Sequence, residues 1–262
     1  MNSANIAQIA RRQLEDYDAH QPGLVFADGP FQLTVDEAYA VQMHVAALRA
    51  ARGEAIAGYK IGCLSEPVQR QLNLDRPVFG HVFASELYGS GVSLDPANFE
   101  CLAIEGEFAV RIAEDVAGST PLPETPERWI ASVFPVIELH NFVFRRAIRT
   151  AQELVANNAL HAGVILPSID DEERNGAELS PGVISVFRNG ELLGTAAGES
   201  LVRGLLASVL QIAGHVGSFG GVLRRGQILL TGSPLPLYPV GPGDHITVCC
   251  GSTEVTAYLR QR

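Results

Sequence analysis

The chain has 262 residues, a formal net charge of −10, and a composition that is 47% hydrophobic and 18% charged. That is the profile of an ordered protein with a large buried core, not of a disordered chain. The acidic balance argues against a nucleic-acid surface, since phosphate binding asks for clustered Lys and Arg and the basic runs are only the pairs Arg11-Arg12, Arg145-Arg146 and Arg224-Arg225. The N-terminus has no basic segment leading into an apolar one, and no uninterrupted apolar stretch approaches the roughly 18 residues of a membrane span, so a soluble cytoplasmic protein is expected. Cys63, Cys101, Cys249 and Cys250 show no C-x-x-C spacing and two of them are adjacent, which favours reduced thiols over a disulfide framework or a zinc site.

Helical periodicity runs over about 4–20 and 34–52, and the second stretch opens on Thr34-Val-Asp-Glu37, a capping box. After Gly53 the pattern changes to short Val/Ile/Phe-rich segments punctuated by Gly and Pro. Strands are expected over 57–61, 91–94, 102–112, 132–139, 182–188, 227–231 and 245–249. Helices are expected over 142–159 and 200–215, and Asn189-Gly190 reads as a hairpin turn. Strand and helix do not alternate regularly, so the expected class is α+β: a mixed sheet rolled on itself, with a helical region over 1–56 and a strand-dominated domain over 57–262.

Two glutamates one residue apart, Glu105 and Glu107, sit in Leu102-Ala-Ile-Glu-Gly-Glu-Phe-Ala-Val-Arg-Ile112. On a strand they share a face with Ala103, Ala109 and Arg111. Taken alone, the pair also reads as the wet face of an amphipathic strand. Glu138, inside the apolar run Val133-Phe-Pro-Val-Ile-Glu-Leu139, is harder to explain that way, because a buried carboxylate needs a partner. Three carboxylates from two strands would suit a hard cation such as Mg²⁺ or Mn²⁺. His140 would point to the same side as Glu138, either toward that site or as a hydrogen-bonded interior histidine. Lys60, in Gly58-Tyr-Lys-Ile-Gly62, reads either as a snorkelling lysine or as an acid/base group with a lowered pKa. Leu229-Leu-Thr-Gly-Ser-Pro234 offers backbone amides to an anion, or is an ordinary strand exit. The Gly-rich Gly214–Gly221 lacks the Gly-Lys-Ser/Thr ending of a phosphate loop.

These pieces in this order, together with Asn158-Ala-x-x-Ala-Gly-Val-Ile-Leu166 and Leu33–Gln42 in the helical preface, resemble the 2-keto-4-pentenoate hydratase and 4-oxalocrotonate decarboxylase family of the fumarylacetoacetate hydrolase superfamily. The resemblance implies the superfamily's mixed-sheet roll and Glu105, Glu107 and Glu138 as ligands of Mg²⁺ or Mn²⁺. It places Lys60 as the acid/base residue, while His140 stays a second catalytic candidate on its position two residues after Glu138 alone. Thr231, Gly232 and Ser233 fall near the carboxylate of a small anionic 2-oxo acid, and Asn158 falls among the substrate-binding residues. It implies a lyase of aromatic-compound catabolism, a homo-oligomer, and room for a complex with a related hydratase or decarboxylase. The sequence departs from the family at Val78, where hydratases often carry an acid. It departs again at Asn157-Asn158 and His140-Asn141, where relatives place Asp-Asn and an apolar residue followed by Asp. Two alternatives follow: an acylpyruvate-type carbon–carbon hydrolase with His81 or His140 as base, or a non-catalytic partner.

Overall fold

The computed structural model describes residues 3–27, 33–117, 126–145, 149–175, 182–197 and 199–261. Two helices that pack against each other open the chain, α1 (Ser3–Asp18) and α2 (Val35–Ala51). The Thr34 side chain accepts from the Glu37 amide while Glu37 accepts from the Thr34 amide, so the predicted capping box fixes where α2 begins. The chain continues through β1 (Ile56–Gly62), α3 (Glu66–Leu72), β2 (Val78–Phe83), β3 (Leu87–Gly89), β4 (Val92–Leu94), β5 (Leu102–Ile112), β6 (Val116–Ala117), β7 (Ile130–Asn141), α4 (Ala151–Ala156) and β8 (His161–Leu166). It ends with α5 (Ile169–Asn175), β9 (Ile184–Arg188), β10 (Glu191–Ala196), α6 (Glu199–Ser218), β11 (Val222–Leu223), β12 (Ile228–Leu230), β13 (Tyr238–Pro239), β14 (His245–Cys250) and β15 (Thr253–Leu259).

Among the described residues the strands form a large mixed sheet ordered β2-β1-β12-β5-β7-β8-β3, with β13 also on β5, and a smaller sheet ordered β10-β9-β14-β15-β4. In the large sheet β1/β12 and β3/β8 are parallel and the other pairs antiparallel. The large sheet curls until its β2 end meets β8 and the turn before it, which makes the expected roll. The outer face of β5 and β7, with Ile104, Phe108, Val110, Ile137 and Leu139 all buried, packs on the small sheet. Gly106 is what lets the sheets approach: a Cβ there would collide with Val186 and come within 3.1 Å of Val248 Cγ2. At the Asn189-Gly190 hairpin both residues take positive φ, 55° and 82°, as the turn demands.

The expected helix over 142–159 is a correction. Helix occupies only Ala151–Ala156, capped by Thr150, while 146–148 lie outside the described residues. It stops because Asn158, Ala159 and Leu160 turn left-handed, at φ 55°, 52° and 61°. The sequence also hid α3, β2 and β8. Every residue of β2 is buried, so it shows no alternation to read. The helical preface is tied to the roll by buried polar contacts: the Gln42 amide donates to the Phe79 and Val155 carbonyls, and Arg49 pairs with Glu86 at 2.7 Å. Within α6, Leu201–Ser218 is apolar and long enough to cross a bilayer by length and composition. One face of it, with Leu205, Val209, Ile212, Ala213 and Val216, is buried. All four cysteines are free.

Candidate metal centre

The inner face of the roll has an apolar floor made of Val82, Ala109, Phe134, Val136, Val164, Ile228 and Leu230. The charged residues rise from that same face. In the β5/β7 ladder Glu105 lies opposite Glu138, Glu107 opposite Val136 and Ala103 opposite His140, so alternation sends all four polar side chains inward. Lys60 joins them because it lies level with Leu230, which in turn faces Ala109. The face that Glu105 and Glu107 share is therefore not a wet one: Glu107 and Glu138 are 0% and 1% exposed and Lys60 is 2%. Glu105 alone keeps partial access to solvent.

Glu138 is the hub. Its Oε1 lies 3.3 Å from Lys60 Nζ and 2.7 Å from His161 Nδ1, and its Oε2 lies 3.2 Å from His140 Nε2. The same His140 nitrogen is 3.3 Å from Glu105 Oε2. Lys60 Nζ also donates to the Ala159 carbonyl at 3.4 Å. Glu107 accepts from the Gly232 amide at 2.5 Å through Oε2, while its Oε1 is buried without a partner.

These contacts set the charges. Burial alone would raise the Glu138 carboxyl, but Lys60, His140 and His161 hold it well below the usual range. Burial and then the neighbouring Glu138 charge push Glu107 well above that range. Burial would lower His140, yet Glu138 and Glu105 outweigh it and raise the imidazole to about 9. Lys60 corrects the expected direction: burial lowers its pKa, but Glu138, Glu105 and Glu107 together raise it above the ordinary lysine value. A cation shared by those carboxylates would weaken that pull.

The donor set fits a divalent ion. Ligand atoms of Glu105, Glu138 and His140 lie within 4.8 Å of one another, and Glu107 Oε1 is buried without a hydrogen-bond partner. With Glu107 ionised and His140 neutral, as ligands must be, three carboxylates would stand against one ammonium and leave a negative charge for a cation to balance; without the ion, the raised Glu107 and His140 pKa values show protons taking that place.

The remaining expected residues are placed as follows. Thr231 Oγ1 donates to the Phe108 carbonyl and Ser233 Oγ to the Gly106 carbonyl, so both hydroxyls brace the end of β12. Gly232, at φ 88°, brings its amide onto Glu107 under the side chain of Leu64. Asn158 spends its amide on β2, accepting from the His81 amide at 2.7 Å and donating to the His81 carbonyl at 2.8 Å. His81 is on the outer face of β2, opposite Tyr59, with its pKa lowered to about 4 by burial and then by Arg49. It lines a cavity of about 480 Å³ between α1, α2 and the roll, together with Gln42, Arg49, Glu86 and His161. Val78 shares the inner face with Lys60: a Cβ on Gly62 would lie 3.2 Å from Lys60 Nζ and 3.8 Å from Val78 Cγ2. His161, against Glu138, carried no signal in the sequence, since a histidine before Ala-Gly-Val-Ile reads as part of an apolar strand.

No protein-family model matches the chain. It is 31% identical over 218 residues to 2-hydroxyhexa-2,4-dienoate hydratase of Comamonas testosteroni, covering 81% of each chain. It is 29% identical over 231 residues to 2-keto-4-pentenoate hydratase of Paraburkholderia xenovorans, covering 87% of this chain and 86% of that one. Among solved structures, 4-oxalocrotonate decarboxylase from Pseudomonas putida G7, complexed with magnesium and adipate, superposes with a TM-score of 0.84 at 24% identity over 99% of this chain and 98% of that chain, which shows a shared fold. The rolled mixed sheet is thus a fold that the chain shares with a solved enzyme. The chain belongs to the 2-keto-4-pentenoate hydratase and 4-oxalocrotonate decarboxylase family, as a divergent member.

Proposed function

We propose that the chain is a divalent-cation-dependent lyase that hydrates or decarboxylates a small 2-oxo or 2-hydroxydienoic acid. The observation that carries this reading is the single buried cluster in which Lys60 Nζ stands 3.3 Å from Glu138 while donors of Glu105, Glu138 and His140 converge within 4.8 Å. The hydratase names of the curated relatives support the reaction class. Glu105, Glu107 and Glu138 would hold Mg²⁺ or Mn²⁺, with His140 beside them, because oxygen-rich sets suit hard cations. Such an ion would bind the substrate's carboxylate and 2-oxygen and stabilise the negative charge that develops on that oxygen.

The chain's own residues supply the rest. Lys60 is the ammonium on the inner wall, and the Ala159 carbonyl and Glu138 aim its Nζ, so it is the group to give a proton to a substrate carbon or take one away. Val136, Leu230 and Phe134 exclude water from the floor, which strengthens each charge above it. Gly232, braced by the Thr231 and Ser233 hydroxyls, sets the orientation of Glu107. Val78 favours the decarboxylation arm, since the inner-face position beside Lys60 carries no group that could hold a water. Outside the site, we place the catalytic roll over 57–262 and the helical preface over 1–56, and expect a cytoplasmic homo-oligomer.

Calorimetric titration of the purified protein with Mn²⁺ and with Mg²⁺ tests the reading. Binding is expected, lost in Glu138→Gln and weakened in Glu105→Gln and Glu107→Gln. Ultraviolet assays of a 2-hydroxydienoate and of an oxalocrotonate then separate hydration from decarboxylation. A protein that binds neither ion sinks the proposal.

A further inference from the structure

Three consecutive non-glycine residues, Asn158, Ala159 and Leu160, hold left-handed backbone at φ 55°, 52° and 61°. Each costs roughly 1–2 kcal/mol relative to right-handed backbone, and such a run persists only where its surroundings fix it. Its contacts are distributed around one place. Asn158 clips the backbone of His81 on β2, the Ala159 carbonyl accepts from Lys60 Nζ, and the next residue, His161, puts Nδ1 2.7 Å from Glu138 Oε1.

The His161 side chain is wholly buried. An ionised carboxylate only accepts hydrogen bonds, so Nδ1 is the donor and the ring is held in one orientation. On its other side Nε2 lies 3.8 Å from Glu86 Oε2 and has no hydrogen-bond partner. Glu86 is itself fixed, by Arg49 Nη1 at 2.7 Å and by the Phe83 amide at 3.0 Å. The ring therefore sits between a rigid outer ion pair and the inner carboxylate. With Oε1 of Glu138 engaged by His161 and Lys60, Oε2 is the oxygen turned toward His140 and Glu105.

We infer that His161, carried by the left-handed turn, is a positioning residue for the cation site: it locks the rotamer of Glu138 so that Oε2 faces the donors of Glu105 and His140. This rests on the reading of Glu138 as a cation ligand. Hydrogen-bond partners of ligating carboxylates set the orientation of the ligand, and losing one typically costs about 10–100-fold in metal affinity.

The test is Mn²⁺ binding by calorimetry and by the electron paramagnetic resonance of the bound ion, on the full chain. His161→Ala should bind Mn²⁺ about 10–100-fold more weakly. His161→Asn, whose amide nitrogen falls near the place of Nδ1, should recover most of the loss. His161→Gln, whose amide nitrogen falls near the place of Nε2, should not, and neither amide leaves the void that could unfold an alanine variant. Equal affinity in the wild type and His161→Ala, or equal recovery by Asn and Gln, overturns the inference alone. A wild type that binds no Mn²⁺ overturns the cation reading first, and this inference with it.

Discussion

Lys60 Nζ and Glu138 Oε1, 3.3 Å apart and 2% and 1% exposed, form a buried ion pair whose partners come from strands that are not neighbours in the sheet. Removing one partner of such a pair leaves an uncompensated charge in a poorly solvated site. Glu105 and Glu107 share that site, where burial and Glu138 already hold the Glu107 carboxyl well above its usual range.

Lys60→Ala is therefore expected to act on turnover more than on cation binding. The loss of a positioned acid/base group typically costs about 10²–10⁴-fold in rate. Removing the ammonium lifts its repulsion of a cation, which offsets the lost contact to Glu138 Oε1, so Mn²⁺ affinity should fall less than in His161→Ala. Steady-state assays on the dienoate paired with calorimetry check both halves. Turnover equal to wild type would remove Lys60 from the chemistry.

Chelation should act in the opposite way. Stripping divalent ions with EDTA is expected to abolish turnover, and Mn²⁺ or Mg²⁺ should restore it. Folded chains should survive, because the apolar floor and the two-sheet core contribute no ligand. Activity assays and thermal melts on the stripped protein check this. Full activity in EDTA would contradict the proposed function.

How much of this was legible in the sequence differs by element. Glu105 and Glu107 could be placed on one face because strand alternation is local, whereas the register that sets Glu138 opposite Glu105 is not local. Whether that face was wet or dry depended on the curl of the sheet, which brings β2 to β8 and is not a local property. The end of α4 was missed for a similar reason: Ala159 and Leu160 have no left-handed preference, and contacts with Lys60 and β2 hold the turn. Lys60's raised pKa likewise needed the three-dimensional count of carboxylates.

Acid should destabilise the fold through histidines far from the candidate ligands. His215 stacks on Phe79 at 4.1 Å and 13°, and burial, followed by His81 and Arg76, lowers its pKa from 6.5 to about 4. The unfolded chain thus takes up this proton near pH 6.5 while the native state resists it until about pH 4. Its contribution is complete above pH 6.5 and is lost as the pH falls toward 4, to at most about 3 kcal/mol. His215→Phe keeps the stack and removes the proton, so urea unfolding at pH 7 and pH 4.5 should differ less than in the wild type. An unchanged difference would show that His215 does not drive the acid limb.

Gly106 sits between Glu105 and Glu107 but points the other way, into the seam between the two sheets. Its absent side chain is what lets Val186 and Val248 close on β5. Gly106→Ala adds one methyl where a real Cβ would overlap Val186 Cγ2, and both neighbours are fully buried valines whose short side chains cannot swing clear. Overpacking of this kind costs about 1–3 kcal/mol, which in a domain of this size lowers Tm by roughly 2–4 °C for each kcal/mol. The strain also pushes β5 toward the inner face, so Mn²⁺ affinity should weaken along with Tm although the substituted residue offers no ligand. A melt and a titration on the same preparation measure both. A lowered Tm with unchanged affinity would mean that the β5/β7 register holds Glu105, Glu107 and Glu138 in place independently of the seam.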